Sequence, residues 1–243
     1  MLLIDTDFLA YKSAQACEEG IDFGEDVIIA QSNFSQVLKI FERELKKVMT
    51  AMMEDEIILY FSSPRNFRKE ISADYKGHRN RRKPLGYKRL VNHCQENYRT
   101  VIRDGLEADD ALGMDATAYP EEDTIIVSPD KDMRQIPGVL WNLTDEVEEI
   151  TKEDGDNWHL IQSLAGDPTD GYPGCPGIGV KRATELLNKH ENKWEAVCKA
   201  YKDKGLSDDD ALLNARLAKI LQHTDYDYDR QEPILWTPVL QAG

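Results

Sequence analysis

The sequence is poor in the features that mark membrane and secreted proteins. Its apolar runs fall well short of the ~20 residues that cross a bilayer. No basic stretch precedes an apolar segment at the N-terminus, so we expect no signal peptide. The cysteines show no CxxC spacing, which predicts reduced thiols. We therefore expect a cytoplasmic protein without a membrane partner, made of one large domain or of one domain and a small helical lobe.

Positive charge is also scarce, because 30 Lys and Arg face 45 Asp and Glu and the net charge is −15. Taken alone, this balance disfavours a nucleic-acid partner. The distribution favours one, since between residues 65 and 89 only Glu70 and Asp74 oppose ten basic side chains. Such a segment can follow a phosphate backbone, although a solvated loop has the same composition. The ten residues are Arg65, Arg68, Lys69, Lys76, Arg79, Arg81, Arg82, Lys83, Lys88 and Arg89.

Short apolar runs and helical periodicities alternate over the first 150 residues and predict an α/β fold with a mainly parallel sheet between helices. The predicted strands are 2–5, 57–61, 98–102, 124–127 and 139–141, and the predicted helices are 32–53, about 88–97 and 109–118. After about residue 150 we expect a helical lobe with helices at 157–165, 180–190, 194–204 and 207–222, followed by an irregular tail from residue 223.

Carboxylates directly follow three of the predicted strands, and a fourth group lies in the segment 166–171. Open α/β sheets place their sites at the carboxyl ends of the strands, so we expect these acids to converge. They would repel one another unless hard cations joined them, and ligation by oxygen without His or Cys suits Mg²⁺ or Mn²⁺. Two such ions can clamp the attacking and leaving oxygens of a phosphodiester. The eight acids are Asp5, Glu107, Asp109, Asp110, Asp130, Asp132, Asp167 and Asp170.

The segment 166–187 reads GDPTDGYPGCPGIGVKRATELL and predicts the turn of a helix–hairpin–helix. Gly177 and Gly179 would let a phosphate approach the backbone closely. The N–H groups at the following helix start would bind that phosphate, with Lys181 and Arg182 adding charge. K⁺ is a candidate ion at this turn.

Taken together, the motifs resemble the 5′→3′ exonuclease/flap endonuclease family, and within it the small exonucleases of short-tailed phages. The motifs occur in the family order and span about residues 2 to 190. They are LLIDTD at 2–7, NFRKEISADYKGHR at 66–79, GLEADD at 105–110, SPDKDMRQIP at 128–137 and GDPTDGYPGCPGIGVKRA at 166–183.

The resemblance implies a PIN-like flap-nuclease core over residues 1–150, a basic clamp over about 62–97, and a DNA-binding helical lobe over 151–243. It implies a two-metal phosphodiesterase that acts on 5′ ends, flaps and nicks of duplex DNA and on RNA–DNA hybrids. We expect a monomer that serves phage replication, primer removal and host DNA degradation in the infected bacterial cytoplasm.

Residue by residue, the resemblance assigns the eight acids to the metals. It places Tyr75, Lys76 and Arg79 beside the scissile phosphate and Gly177, Gly179 and Lys181 on duplex backbone. The basic residues Arg68, Arg81, Arg82 and Lys83, together with Arg182, are further predicted DNA contacts. The chain departs from the family at the end of strand 57–61, where Ser62 and Ser63 stand in place of an Asp.

Three alternatives stay open at this point. A phosphatase of haloacid-dehalogenase type would use Asp5 as a nucleophile, although Leu9 stands where that class has Thr or Val. A PIN-type ribonuclease shares the acidic clusters but usually lacks the hairpin. A non-catalytic DNA-binding module would need no converging acids.

Overall fold

A computed structural model of the chain describes residues 1–78, 82–119, 123–144 and 146–238. Its strands are β1 Leu2–Asp5, β2 Glu18–Asp22, β3 Ile28–Ser32, β4 Ile57–Tyr60, β5 Thr100–Val101, β6 Ile125–Val127, β7 Gly138–Trp141, β8 Val147–Ile150, β9 Tyr226–Asp227 and β10 Glu232–Pro233. Its α-helices are α1 Thr6–Gln15, α2 Phe34–Met52, α3 Arg68–Ile71, α4 Tyr87–Asn97, α5 Ala108–Ala116, α6 Lys152–Ala165, α7 Val180–Leu187, α8 Lys193–Lys202 and α9 Asp208–Ala218, and 3-10 helices span Lys131–Gln135 and His223–Asp225.

A six-stranded sheet in the order β5-β4-β1-β6-β7-β8 forms the centre of the fold. Neighbouring strands run parallel except for β7 and β8, which confirms the predicted mainly parallel α/β sheet. Residues alternate between its faces as the strand geometry requires. Leu2 and Ile4 pack with α1, α2 and α4, whereas Leu3 packs with α5 and the first 3-10 helix.

Helices α6 to α9 form the predicted helical lobe around their own apolar cluster, which includes Leu164, Leu187 and Tyr201. The lobe packs closely on the core. A methyl group on Gly155 of α6 would lie 2.4 Å from the carbonyl oxygen of Gln135. The Gln135 side chain also donates to Gln162 of α6 at 2.6 Å. No helix among the described residues is long and apolar enough to cross a membrane.

The structure corrects several predicted boundaries. Helix α6 starts at Lys152 instead of residue 157, because Thr151 caps it and forms a capping box with Asp154. Helix α9 ends at Ala218 instead of residue 222. The helix ends there because the following backbone N–H groups bond to core side chains instead of to helix carbonyls: Ile220 donates to Gln135 and Leu221 donates to Asp110.

Strands also lie where none was predicted. The β2–β3 hairpin exposes its apolar residues, so its sequence lacks the buried pattern of a sheet strand. Strand β8 is an antiparallel edge strand with the sequence VEEI, and its two glutamates hide the apolar pattern by which the other sheet strands were predicted. Strands β9 and β10 form a two-residue pair in the tail predicted to be irregular.

Candidate metal centre and nucleic-acid interface

The parallel register brings the acid-bearing strand ends to one edge of the sheet, which we call the acidic edge. Asp5 at the end of β1 lies opposite Tyr60, two residues before Ser62, and Ile4 lies opposite Val127 at the end of β6. The hydroxyl of Ser128, directly after β6, donates to the Asp5 carboxylate at 3.0 Å. Burial, then the neighbouring Asp7 and Asp130, raise the pKa of Asp5 to about 7.

Helix α5 brings Glu107 and Asp109 to the same edge. Glu107 is the N-cap residue and Asp109 lies in the first turn, where the helix dipole favours acids. Even so, burial and the charges of Asp5, Asp130 and Glu107 raise the pKa of Asp109 well above its usual range. The acids that follow β1, β5 and β6 therefore lie close enough to repel one another, as the sequence predicted.

Asp130 and Asp132 belong to the turn that starts the first 3-10 helix. Asp130 caps this helix by accepting from the Asp132 N–H at 2.9 Å. One carboxylate oxygen of Asp132, Oδ1, is buried and has no hydrogen-bond partner among the described residues. Burial, and then the charge of Asp130, raise the pKa of Asp132 to about 7. An unsatisfied buried carboxylate oxygen is costly unless a cation binds it.

The lobe delivers Asp167 and Asp170 to the acidic edge from the loop after α6. Asp167 accepts from the Thr169 N–H at 2.7 Å and from the Lys131 ammonium at 3.4 Å. Burial opposes ionisation, but these two donors still lower the pKa of Asp167. The carboxylate of Asp170 receives a hydrogen bond from the Tyr75 hydroxyl at 3.1 Å.

Tyr75 and Lys76 join the core acids to the lobe acids. The Tyr75 hydroxyl also donates to Glu107 at 2.8 Å. The Lys76 ammonium lies 2.5 Å from Glu107 and 3.5 Å from Asp170. Burial alone would raise the pKa of Glu107, but Lys76 and then Arg68 lower it to about 2. Lys76 adopts a left-handed backbone with φ of 51°, and its N–H donates to the Asp170 carbonyl at 2.7 Å. The turn thus holds the Lys76 ammonium between an acid of the core and an acid of the lobe.

The acidic edge suits hard cations. Among the described residues no three His, Cys, Asp or Glu side chains already stand close enough to hold one ion, and the ammonium groups of Lys76 and Lys131 lie beside the acids. Three acids nevertheless have raised pKa values, first because they are buried and then because neighbouring acids repel them, so the two lysines do not offset the cost of their charge. Ligation by carboxylate oxygens without His or Cys fits Mg²⁺ or Mn²⁺.

Two predictions for this region are wrong. Arg68 was expected to contact DNA and Asp110 to bind metal, but the two form a buried bidentate ion pair with both N···O distances at 2.7 Å. Arg68 is 3% exposed, and its other hydrogen bonds go to the carbonyls of Leu217 and Lys219 and to the Glu107 carboxylate, which lies 3.5 Å from Nη1. Neither side chain is therefore available to substrate or metal. The sequence offered no signal for this pair, since its members lie 42 positions apart.

One acid at this edge was not predicted as a site residue. The carboxylate of Asp7 accepts from the Ser62 N–H at 3.1 Å and from the Tyr87 hydroxyl. The signal was present, because Asp5 and Asp7 have the same i, i+2 spacing after a strand as Asp130 and Asp132.

The predicted phosphate-binding turn is exposed on the lobe. Gly177 has φ of +78°, and a methyl group on Gly177 or Gly179 would meet open space. Arg182 donates to the Gly177 carbonyl at 2.7 Å and so braces the turn, while Lys181 is exposed at the start of α7. A phosphate can therefore approach this backbone without obstruction.

The basic segment contributes exposed cations at its far end. Arg82 and Lys83 are both exposed, with Arg82 held by Glu18 of β2 at 2.6 Å and Lys83 lying over the Tyr87 ring. Arg79 and Arg81, which were predicted to contact the scissile phosphate and the DNA, lie outside the described residues.

Comparisons with known proteins agree with this geometry. Residues 1–155 match the family model described as the 5′-3′ exonuclease, N-terminal resolvase-like domain. The chain is 29% identical to the exodeoxyribonuclease of Enterobacteria phage T3 and 27% identical to the exonuclease of Escherichia phage T7, and each alignment covers 98% of this chain and 93% of the relative. These matches favour the nuclease prediction over the phosphatase and the non-catalytic module.

Solved structures show the same fold. A complex of the bacteriophage T5 flap endonuclease with DNA and metal ions has a TM-score of 0.68 at 16% identity, and the match covers 90% of this chain and 88% of that one. The catalytic core of Rad2 with DNA substrate has a TM-score of 0.54 at 12% identity, covering 97% of this chain and 82% of that one. The family model spans most of the chain and includes the acids that the core contributes to the acidic edge, so the chain belongs to the 5′-3′ exonuclease family.

Proposed function

We propose that this 5′ nuclease hydrolyses phosphodiester bonds at the 5′ ends of duplex DNA, at flaps and nicks, and in RNA–DNA hybrids, with two Mg²⁺ or Mn²⁺ ions. The observation that carries the proposal is the convergence of under-neutralised carboxylates on the acidic edge, with Lys76 between the core and lobe acids. The acids proposed to hold the ions are Asp5, Glu107, Asp109, Asp130, Asp132, Asp167 and Asp170.

When bound, the ions would activate water and stabilise charge on the attacking and leaving oxygens. The protein's own groups do the rest. Lys76 supplies a positive charge at the reacting phosphate, where a fixed cation lowers the barrier most as negative charge develops. Tyr75 holds Glu107 and Asp170 in place through its hydroxyl. Arg79, from the same motif, is proposed to act beside Lys76.

Substrate is held at two places in this proposal. The backbone of Gly177 and Gly179, with Lys181 and Arg182, grips the phosphates of the downstream duplex, and K⁺ is proposed at that turn. The exposed Arg82 and Lys83, with Arg81, guide the 5′ end over the acidic edge. Phosphate contacts fix register without reading sequence, so cleavage should depend on the shape of the substrate.

We further propose the division into a nuclease core 1–150, a clamp over about 62–97 and a DNA-binding lobe 151–243. Similarity to the phage T3 and T7 exonucleases over 93% of their length supports a phage enzyme. We propose that it is a monomer that serves phage replication, primer removal and host DNA degradation in the infected cytoplasm.

The test compares a 5′-labelled flap, a nicked duplex, an RNA–DNA hybrid and a hairpin RNA, with EDTA or with added Mg²⁺ or Mn²⁺. We expect cleavage of the first three only with metal. The Asp132→Ala protein should lose activity by orders of magnitude, whereas the control Asp55→Ala, an exposed acid remote from the acidic edge, should keep it. Full activity in EDTA, or cleavage of hairpin RNA alone, would overturn the proposal.

A further inference from the structure

The end of β4 lacks the acid that the family resemblance leads one to expect there. Ser62 and Ser63 occupy these positions, and their hydroxyl groups are engaged elsewhere. The Ser62 hydroxyl accepts from the Ala108 N–H at 3.0 Å and so ties β4 to the start of α5. The Ser63 hydroxyl donates to the exposed Asp104 at 3.3 Å. Among the described residues, neither serine hydroxyl bonds an acid of the acidic edge.

The carboxylate of Asp7 stands at the place that the serines leave without charge. Asp7 lies in the first turn of α1, which begins directly after β1, and its Oδ2 accepts from the Ser62 N–H at 3.1 Å. Its Oδ1 accepts from the hydroxyl of Tyr87 at the start of α4. Two elements therefore orient this carboxylate at the end of β4. Asp7 also acts on Asp5 more strongly than any other charge.

We propose that Asp7 is a further acid of the metal centre and supplies from α1 the negative charge that β4 does not carry. The ligand is a hard divalent cation, and the inference rests on the proposed function. A carboxylate oxygen has two lone pairs, so each Asp7 oxygen keeps one for a cation or its water after accepting one hydrogen bond. The Ser62 N–H and the Tyr87 hydroxyl then orient Asp7 as outer partners orient a ligating carboxylate.

The competing interpretation is that Asp7 only anchors Tyr87, and through it α4. The two roles differ in what they require. A cation needs the negative charge of Asp7, whereas Tyr87 needs only an oxygen acceptor. Asp7→Asn removes the charge but keeps an amide oxygen that can accept from Tyr87. Tyr87→Phe removes the hydroxyl and leaves the charge, so the pair of variants separates the roles.

The experiment is calorimetric titration of the full chain with Mn²⁺ in the absence of DNA. We expect Asp7→Asn to weaken binding of one ion at least tenfold, Tyr87→Phe to weaken it less, and the exposed control Asp104→Asn to match the unmodified protein. A second set of variants adds Ser62→Asp or Ser63→Asp to Asp7→Asn, and at least one of them should restore the lost affinity. Thermal melting in EDTA checks that each variant folds, and Asp7→Ser, which also removes the charge and keeps an oxygen acceptor, replaces Asp7→Asn if the latter does not.

The outcomes separate the two levels of the proposal. If the unmodified protein binds Mn²⁺ and Asp7→Asn binds it equally well, Asp7 is not part of the metal centre although the proposed function stands. The same conclusion follows if Tyr87→Phe weakens binding as much as Asp7→Asn and no added Asp restores it. If the unmodified protein itself binds no Mn²⁺, the proposed function fails first.

Discussion

The two described ends of the basic segment carry similar charge but use it differently. Before the undescribed residues 79–81, the guanidinium of Arg68 is 3% exposed and the Lys76 side chain is 15% exposed, and both are paired with acids of the core or lobe. After them, Arg82 is 57% exposed and Lys83 is also exposed. A run of basic residues in sequence is therefore not one DNA-binding surface. Burial decides which cations stabilise the fold, which meet the acidic edge and which remain for substrate.

The largest effect should come from breaking the buried pair. Arg68→Ala leaves Asp110 charged and buried without its cation, so we expect the free energy of unfolding to fall by about 3–5 kcal/mol. Urea denaturation measures this, with Arg82→Ala as the exposed control, expected to change stability by no more than about 0.5 kcal/mol. The double replacement Arg68→Met with Asp110→Leu should recover only part of the loss, because it removes the uncompensated charge but leaves the Leu221 N–H and the Leu217 carbonyl without these partners. If the Arg68→Ala protein is stable but binds DNA more weakly, Arg68 is a DNA contact and the buried end of the basic segment does not serve the fold.

The next effect concerns Lys76. Lys76→Ala should lower kcat by about 10²–10³-fold at saturating substrate, the loss expected when one preorganised charge is removed from a transition state. Without DNA, its affinity for Mn²⁺ should stay level or rise, because the ammonium competes with cations for Glu107 and Asp170. Lys83→Ala, on the exposed end, is the matched control and should change kcat little. A raised KM with unchanged kcat would make Lys76 a docking residue.

A smaller effect should appear in the pH dependence of the metal-free protein. Asp5 and Asp132 have folded-state pKa values of about 7, above the ordinary 3.8. Their protonated forms stabilise the folded state fully below pH 4. This contribution to the free energy of unfolding is lost as the pH rises through 7, because the folded state then releases protons that it binds more tightly than the unfolded state does. In EDTA the Tm should therefore fall between pH 5 and pH 8, and Mg²⁺ should restore it at pH 8. Asp132→Asn should flatten this profile, and an unchanged profile would refute the interpretation.

The smallest effect is expected at the exposed end and the glycine turn. Arg82→Ala, or Lys181→Ala, should weaken duplex binding equally for all sequences and lower the salt slope by roughly one for each phosphate that the variant no longer neutralises. Glu18→Gln should instead strengthen binding slightly, since Glu18 otherwise holds the Arg82 guanidinium. Binding measured at two or more salt concentrations tests both changes. Weaker binding by Glu18→Gln would show that this ion pair positions Arg82 for DNA.

The acidic edge shows how far sequence reasoning extends to the site. Asp5, Asp109 and Asp130 were predicted to converge because each follows a parallel strand, and the structure places them within each other's electrostatic reach. Asp110 has the same local sequence context as Asp109, yet it faces Arg68 instead. Neighbouring positions at a helix start point in different directions, and only the packing of α3 and α9 against α5 decides which acid meets a buried guanidinium.

Short-range periodicity and motifs of adjacent residues were enough to predict the alternation of strands and helices, the parallel sheet, the family and the acid-bearing strand ends. Tertiary structure alone decided the pairing of Arg68 with Asp110, the end of α9 at Ala218 and the contact of Asp7 with Ser62 and Tyr87. Each of these joins groups tens of residues apart or more. Such contacts form because an unpaired charge or N–H is costly once it is buried. Which groups are buried together depends on the packing of distant elements, so a local sequence pattern does not predict it.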